Sequence, residues 1–226
     1  MKIYAANIQA FERIEEKCRL EWIGMLDQER RERINCLKQE KDRAQSLVAG
    51  LLLRYSFLKE GYTAKQWENV KVQRGSYGKP RLEGYPAFCY SLSHSGRWVI
   101  CGVHSKELGI DIQEMRSWND RLAKRFFSKE EYERLEVADR IQAKQLFFKM
   151  WAAKESYAKL TGEGIGKGIS QYLTSVEYDH ITDTQEHVAA EIRIYEDIPD
   201  YMICACSREK NIFPNEIKVI SDEDFI

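Results

Sequence analysis

Several features that fix a class of protein at a glance are missing from this chain of 226 residues. Its six cysteines, Cys18, Cys36, Cys89, Cys101, Cys204 and Cys206, form no C-x-x-C pair, and four histidines give no zinc-site spacing. No apolar run approaches the ~20 residues of a helical membrane span. The opening Met1, Lys2, Ile3, Tyr4, Ala5 and Ala6 lack the apolar stretch of a signal peptide. Net charge is nearly absent too: 35 Lys plus Arg stand against 36 Asp plus Glu, which argues against a general polyanion binder such as a nucleic-acid protein. Any basic site for a phosphate must be local. There is no G-x-S-x-G elbow and no Walker sequence. The glycines from Gly162 to Gly168 follow a helical pattern, whereas a dinucleotide fingerprint links a strand to a helix. These absences leave a cytoplasmic globular protein with reduced thiols and no membrane contact as the expectation.

What is present is pattern. Residues 2–8 alternate weakly as an opening strand, and 12–26 read as a helix with Ile14, Cys18, Trp22 and Met25 on one side. Asp27 stands as the N-cap of a charged run over 28–41, whose Arg30, Arg31 and Arg33 can face an anion. A helix with a broad apolar face follows over 42–60, ended by Gly61 and Tyr62. Strands are expected at 70–73, 87–92, 97–103 and 108–113, with a turn-rich stretch over 74–80 and a turn at Ser93, His94, Ser95 and Gly96. A helix begins near Arg121, and Ser128 with Glu131 makes a capping box for another. That one feeds the helix ending at Leu160. Strands at 174–178, 188–195, 201–206 and 217–220 precede an acidic tail over 221–226. From Asp27 to Leu47, and again from Ser128 to Phe147, run a cap, a charged helix and the entry to an apolar helix. The expected fold is therefore α+β, two copies of one unit spanning 1–113 and 114–226, with the seam close to Gln113 and Glu114.

Chemistry concentrates in two of these elements. Phe147, Met150, Trp151 and Ala158 form an apolar stripe at helical spacing, yet Lys154 falls inside it and Glu155 at its margin. A charge there costs free energy unless it is partnered or used. The plain alternative has Lys154 snorkelling and Glu155 pairing with Lys159 one turn on. In 108–113, Leu108, Ile110 and Ile112 share one face while Gly109, Asp111 and Gln113 share the other. Asp111 and Gln113 then stand about 6.6 Å apart, and Gly109 leaves room beside them for a backbone or a ligand. Asp111 and Glu155 together offer hard oxygens from two elements, the usual way to hold Mg²⁺ against a phosphate. Ser93, His94 and Ser95 can present donors to a phosphate, and Tyr77, Gly78, Lys79 and Pro80 hold one cation on a stiff backbone.

Gly109, Ile110, Asp111 and Ile112, followed by Trp151, Ala152, Ala153, Lys154, Glu155 and Ser156, resemble the paired signature of the 4'-phosphopantetheinyl transferases. With Tyr77 to Pro80, Ser91 to Trp98 and Arg125 to Ser128 in the same order, the chain resembles the Sfp type over essentially its whole length. The resemblance implies two pseudo-twofold-related α+β subdomains with the active site in the cleft between them, in a monomer containing its own dimer-like interface. It implies Mg²⁺-dependent transfer of the phosphopantetheine arm of coenzyme A to a serine of an acyl or peptidyl carrier protein, releasing 3',5'-ADP.

By motif position, Asp111 and Glu155 hold the metal, with Gln113 as a third ligand. Arg30, Arg33, Ser46, Lys79, Ser93 and His94 contact the nucleotide and its 3'-phosphate. Lys154 and Lys159 lie near the pyrophosphate, where Lys154 adds positive charge, and Glu155 is the candidate general base. Gln113 departs from the family's usual glutamate, so the site loses one charge and weaker metal binding is expected. Arg30 and Arg33 replace common lysines, which keeps charge and alters geometry. Two other readings stand beside this one. One is a non-catalytic coenzyme A or carrier-protein binding module, motivated by Gln113; the other is a Mg²⁺-dependent enzyme acting on another nucleotide pyrophosphate.

Overall fold

Two β-sheets, each backed by one long helix, make up the computed structural model, which describes residues 1–13, 15–75, 77–166, 168–177, 179–185 and 187–225. The chain opens with β1 (Lys2–Asn7) and a 3₁₀ turn over Ile8–Arg13. Helices α1 (Glu16–Gly24), α2 (Gln28–Cys36), α3 (Glu40–Lys59) and the short α4 (Ala64–Trp67) follow. Strands β2 (Val72–Arg74) and β3 (Pro80–Leu82) form a small hairpin, before β4 (Cys89–Ser95) and β5 (Trp98–His104). Then come β6 (Leu108–Glu114), α5 (Asp120–Phe126), α6 (Lys129–Val137) and α7 (Arg140–Thr161). The remainder is β7 (Leu173–Ser175), β8 (His180–Thr182), β9 (Val188–Tyr195), β10 (Tyr201–Ser207) and β11 (Lys218–Val219). Among the described residues no helix is long and apolar enough to cross a membrane.

The helices start where side chains satisfy orphan amides. Asp27 accepts from the Arg30 amide at 3.0 Å. Ser128 and Glu131 close the expected capping box around the start of α6. Asp139 takes the Ile141 and Gln142 amides at 2.9 Å and so opens α7 well before Phe147, and Gly162, at φ 80°, ends it.

The sheets run β11-β1-β5-β4 and β6-β10-β9-β8-β7. In each, one strand lies antiparallel to the second member of a hairpin: β1 on β5–β4, and β6 on β10–β9. Helices α3 and α7 pack on the corresponding sheets, and equivalent elements recur roughly one hundred residues apart. Even a buried hydroxyl repeats. Ser56 donates to Leu52 O and meets the Cys101 thiol, and Ser156 donates to Ala153 O and meets the Cys204 thiol. The expected duplication is present, but its seam is not at Gln113 and Glu114. Strand β6 pairs with β10, so the second copy opens at Leu108, and the division 1–113 and 114–226 cuts behind its first strand. The halves also interleave at the far end. Strand β11 returns to pair with β1, and Phe225 in the acidic tail is buried against Phe11 and Tyr55.

Other expectations shift in smaller ways. The helix expected over 12–26 is a 3₁₀ turn followed by α1, with Trp22 buried and Cys18 exposed, and Ile14 lies outside the described residues. Tyr178, at the end of the expected strand over 174–178, also lies outside them, as does Lys167 in the glycine series. Strand β4 runs on through Ser95, so Ser93, His94 and Ser95 are strand residues rather than a turn. Strands β3 and β8 and helix α4 were unforeseen.

A third core joins the sheets: Ile3, Ala5 and Ile100 of the first pack with Ile110, Ile112, Ile203 and Ala205 of the second. Beside it, the edge strands β4 and β6 are stitched by side chains. Ser91, Ser93 and Ser95, at alternate positions, accept the amides of Ile110, Ile112 and Glu114 at 3.1, 3.4 and 3.0 Å. The hydroxyls satisfy the open edge of β6 that a neighbouring strand would otherwise cover.

Candidate active site

Gly109 sets the site. A Cβ there would lie 1.8 Å from Ser156 O and 2.7 Å from Leu160 N, so only glycine lets α7 rest its backbone on β6. The space beside Asp111 is thus filled by a helix, and the helix brings Glu155 and Lys159 to the same groove. That groove, of about 550 Å³, runs between the two repeats.

Asp111 is 2% exposed and fully engaged. Its Oδ1 accepts from Lys159 Nζ and from Ser93 Oγ, both at 2.7 Å, and its Oδ2 accepts from Gln113 Nε2 at 2.8 Å. Glu155 has no hydrogen-bond partner among the described residues. Its carboxyl is pushed up to about 7, first by burial and then by the charge of Asp111, with Lys159 opposing. A carboxyl raised in this way, beside a second carboxylate, sits where positive charge is in short supply.

The facing wall is cationic. Arg30 and Arg33 of α2 and His94 of β4 line it. Burial, opposed mainly by Asp27, lowers the Arg30 guanidinium below its ordinary value. The His94 imidazole is lowered by desolvation in the groove and then by Lys159, Arg33 and Arg30. Arg30 and Arg33, gathered on one wall, are the local basic site that a nearly neutral chain requires. The first repeat supplies Arg30, Arg33 and His94, while Lys159 and both carboxylates come from the second.

Two expected site residues, Lys154 and Lys79, spend their ammonium groups elsewhere, and a third, Ser46, is not in the groove lining. Lys154 neither snorkels nor faces the groove. It is 1% exposed and its ammonium is spent on Glu131 Oε2 at 2.9 Å, Ile169 O at 3.1 Å and Tyr172 O at 2.5 Å. Burial lowers its pKa while Glu131 opposes. Glu131 is satisfied in turn by the Ser128 and Thr174 amides at 2.8 Å, so the pair locks α6, α7 and the segment before β7 together. Lys79 lines the groove with its stem, but its Nζ turns to Glu107 at 2.5 Å, Leu108 O at 3.2 Å and Leu160 O at 2.8 Å. It fastens the β2–β3 turn to β6 and the end of α7. Ser46 is buried within α3 and is not among the residues that line the groove, and its hydroxyl has no partner among the described residues.

Two more residues differ in how they act. Ser93 lines the groove, but its hydroxyl holds Asp111. Gln113 meets Asp111 with its amide N–H, not with the oxygen that a ligand needs. Among the described residues no group of three His, Cys, Asp or Glu side chains gathers as a metal site. The donor set still fits a hard cation: two carboxylates in one groove, with the Gln113 amide oxygen within a side-chain rotation.

Tyr90 and Arg74 also line the groove and were unforeseen. Tyr90 alternates with Leu92 and His94 along β4, which was the available signal. Its phenol is raised by burial, with Arg30 nearby. Arg74, at the end of β2, pairs with Glu29 of α2 and so links the hairpin to α2 beside the groove.

The fold and groove define a class: a duplicated α+β protein whose inter-repeat groove sets two carboxylates against a basic wall. Residues 107–211 match the model of the 4'-phosphopantetheinyl transferase superfamily, and residues 16–106 match that of the 4'-phosphopantetheinyl transferase N-terminal region. The chain is 30% identical to 4'-phosphopantetheinyl transferase Sfp of Bacillus subtilis, over 100% of both chains. It is 29% identical to 4'-phosphopantetheinyl transferase psf-1 of Bacillus pumilus, over 100% of this chain and 97% of the relative. To 4'-phosphopantetheinyl transferase HetI of Nostoc it is 39% identical over 47% of this chain and 48% of that one. The chain belongs to the 4'-phosphopantetheinyl transferase family, a family of enzymes.

Proposed function

We propose that this enzyme transfers the 4'-phosphopantetheine arm of coenzyme A to a serine of an apo acyl or peptidyl carrier protein, with Mg²⁺ as cofactor and 3',5'-ADP as the other product. One observation carries the reading: Asp111, Glu155 and Lys159 share a groove with Arg30, Arg33 and His94. A pyrophosphate with a further phosphate on its nucleotide needs this pairing of a cation-binding centre with a basic wall.

The serine Oγ attacks the β-phosphorus, a new P–O bond forms, and the bond to the bridging oxygen breaks so that 3',5'-ADP leaves with the electron pair. Glu155, whose carboxyl is raised in the metal-free groove by burial and by Asp111, is the candidate to accept the serine proton. Lys159, Arg30 and Arg33 offset charge on the nucleotide phosphates. Asp111 and Glu155, with the Gln113 amide oxygen, are the residues to hold Mg²⁺, which when bound neutralises the pyrophosphate. The groove lies within one chain, so a monomer suffices.

The test is to mix the protein with coenzyme A, Mg²⁺ and several apo carrier proteins, and to look for the mass gain of the arm by intact-protein mass spectrometry. A gain on at least one carrier is expected. Binding of coenzyme A with no gain on any carrier leaves the binding-module reading instead.

A further inference from the structure

Lys159 and a divalent cation compete for the same oxygen. Asp111 is buried at the floor of the groove, and a buried carboxylate needs a compensating charge. Lys159 supplies it, with Nζ 2.7 Å from Oδ1. A metal ion that ligates Asp111 would stand within a few ångströms of that ammonium. Two like charges so close together repel, and a divalent ion repels the ammonium more strongly than a unit charge would. One of them must leave. Asp111 cannot follow Lys159, because it is buried on β6 and Ser93 holds its Oδ1. Lys159 can leave: its side chain is 29% exposed, and Asp111 is its one ion-pair partner among the described residues. It stands one helical turn from Glu155 in the groove that Arg30, Arg33 and His94 line, so the released ammonium joins the basic wall.

We propose that Lys159 is the resident counter-ion of Asp111, that the divalent cation displaces it, and that the displaced ammonium is what the anionic substrate then meets. The inference rests on the function proposed above and deepens it. Metal and coenzyme A become coupled through one side chain, and the coupling is reciprocal. In the empty groove the ammonium is sequestered, so a phosphate that arrives without metal meets one cation fewer.

Two measurements on the full chain test this, neither of which reads activity. Mn²⁺ binding without substrate is followed by the electron paramagnetic resonance of the free ion in wild type, Lys159→Met and Lys159→Arg. With the competitor removed, Lys159→Met is expected to bind Mn²⁺ between about fivefold and a hundredfold more tightly, and Lys159→Arg to stay near wild type. Unchanged or weaker binding by folded Lys159→Met overturns the proposal. Should that variant fail to fold, the wild type decides: limited acetylation mapped by mass spectrometry is expected to show Lys159 several-fold more reactive with Mg²⁺ than without. Equal reactivity, or protection, overturns it. The transfer assay separates the two ideas, because a working transferase without the exchange sinks only this inference, and absent transfer sinks the reading beneath it.

Discussion

Ser156 and Gly109 touch backbone to backbone: the carbonyl of one lies where a side chain on the other would be. The positions of Glu155 and Lys159 relative to Asp111 follow from that contact. Gly109→Ala is expected to cost on the order of 3 kcal/mol of stability and to abolish transfer. Chemical denaturation together with the mass-gain assay checks both, and a variant as stable and active as wild type would show that α7 has room to move.

Lys154 is expected to matter for folding and not for the chemical step. Lys154→Met leaves Glu131 charged and buried, and should destabilise by ~3–5 kcal/mol. Adding Glu131→Gln should recover part of that loss, because the amide keeps an acceptor for the Thr174 amide. If urea unfolding of Lys154→Met matches wild type while its turnover collapses, the ammonium reaches the substrate after all.

Lys79 separates from the basic wall by its salt response. Arg33→Ala should weaken coenzyme A binding by an amount that shrinks as ionic strength rises. Lys79→Met should lower stability by roughly 1–3 kcal/mol through its lost contacts to Glu107, Leu108 and Leu160, with the salt dependence of binding unchanged. Calorimetric titration at low and high salt distinguishes the two variants.

Glu155 makes the metal-free protein less stable in base. Its carboxyl, at about 7 in the fold, is raised above the ordinary value of 4.5, so the native state holds its proton more tightly than the unfolded chain. That contribution is complete below pH 4.5 and is lost as pH rises through about 7. Allowing for partial exposure, it is on the order of 1–2 kcal/mol. Glu155→Gln should remove this slope, and thermal unfolding in chelator across pH 4.5 to 8.5 measures it. An identical slope in the variant would show that another group titrates.

Much of this was legible in the chain because local rules governed it. Alternation put Ile110 and Ile112 on one face of β6 and Gly109 and Asp111 on the other, and the capping box at Ser128 marked the start of α6. The rest depended on partners distant in sequence. Alternation tells which way a side chain points but not which strand lies alongside, so the pairing of β6 with β10 was out of reach and the seam was set behind it. Glu131 was already accounted for by its cap, which hid its second role as the partner of Lys154. Lys79 looked free because helix ends and strand starts show no carbonyls in a sequence.

The joint between β4 and β6 is made of three side-chain hydroxyls where most neighbouring strands use peptide groups. A hydroxyl can swivel about its own bond and keep hold of a donor that has drifted, whereas a peptide group is fixed by the strand it belongs to. The two halves therefore have a compliant hem along the edge that carries Asp111. The ladders within each sheet, β1 with β5 and β4, and β6 with β10 and β9, do not depend on those three hydroxyls.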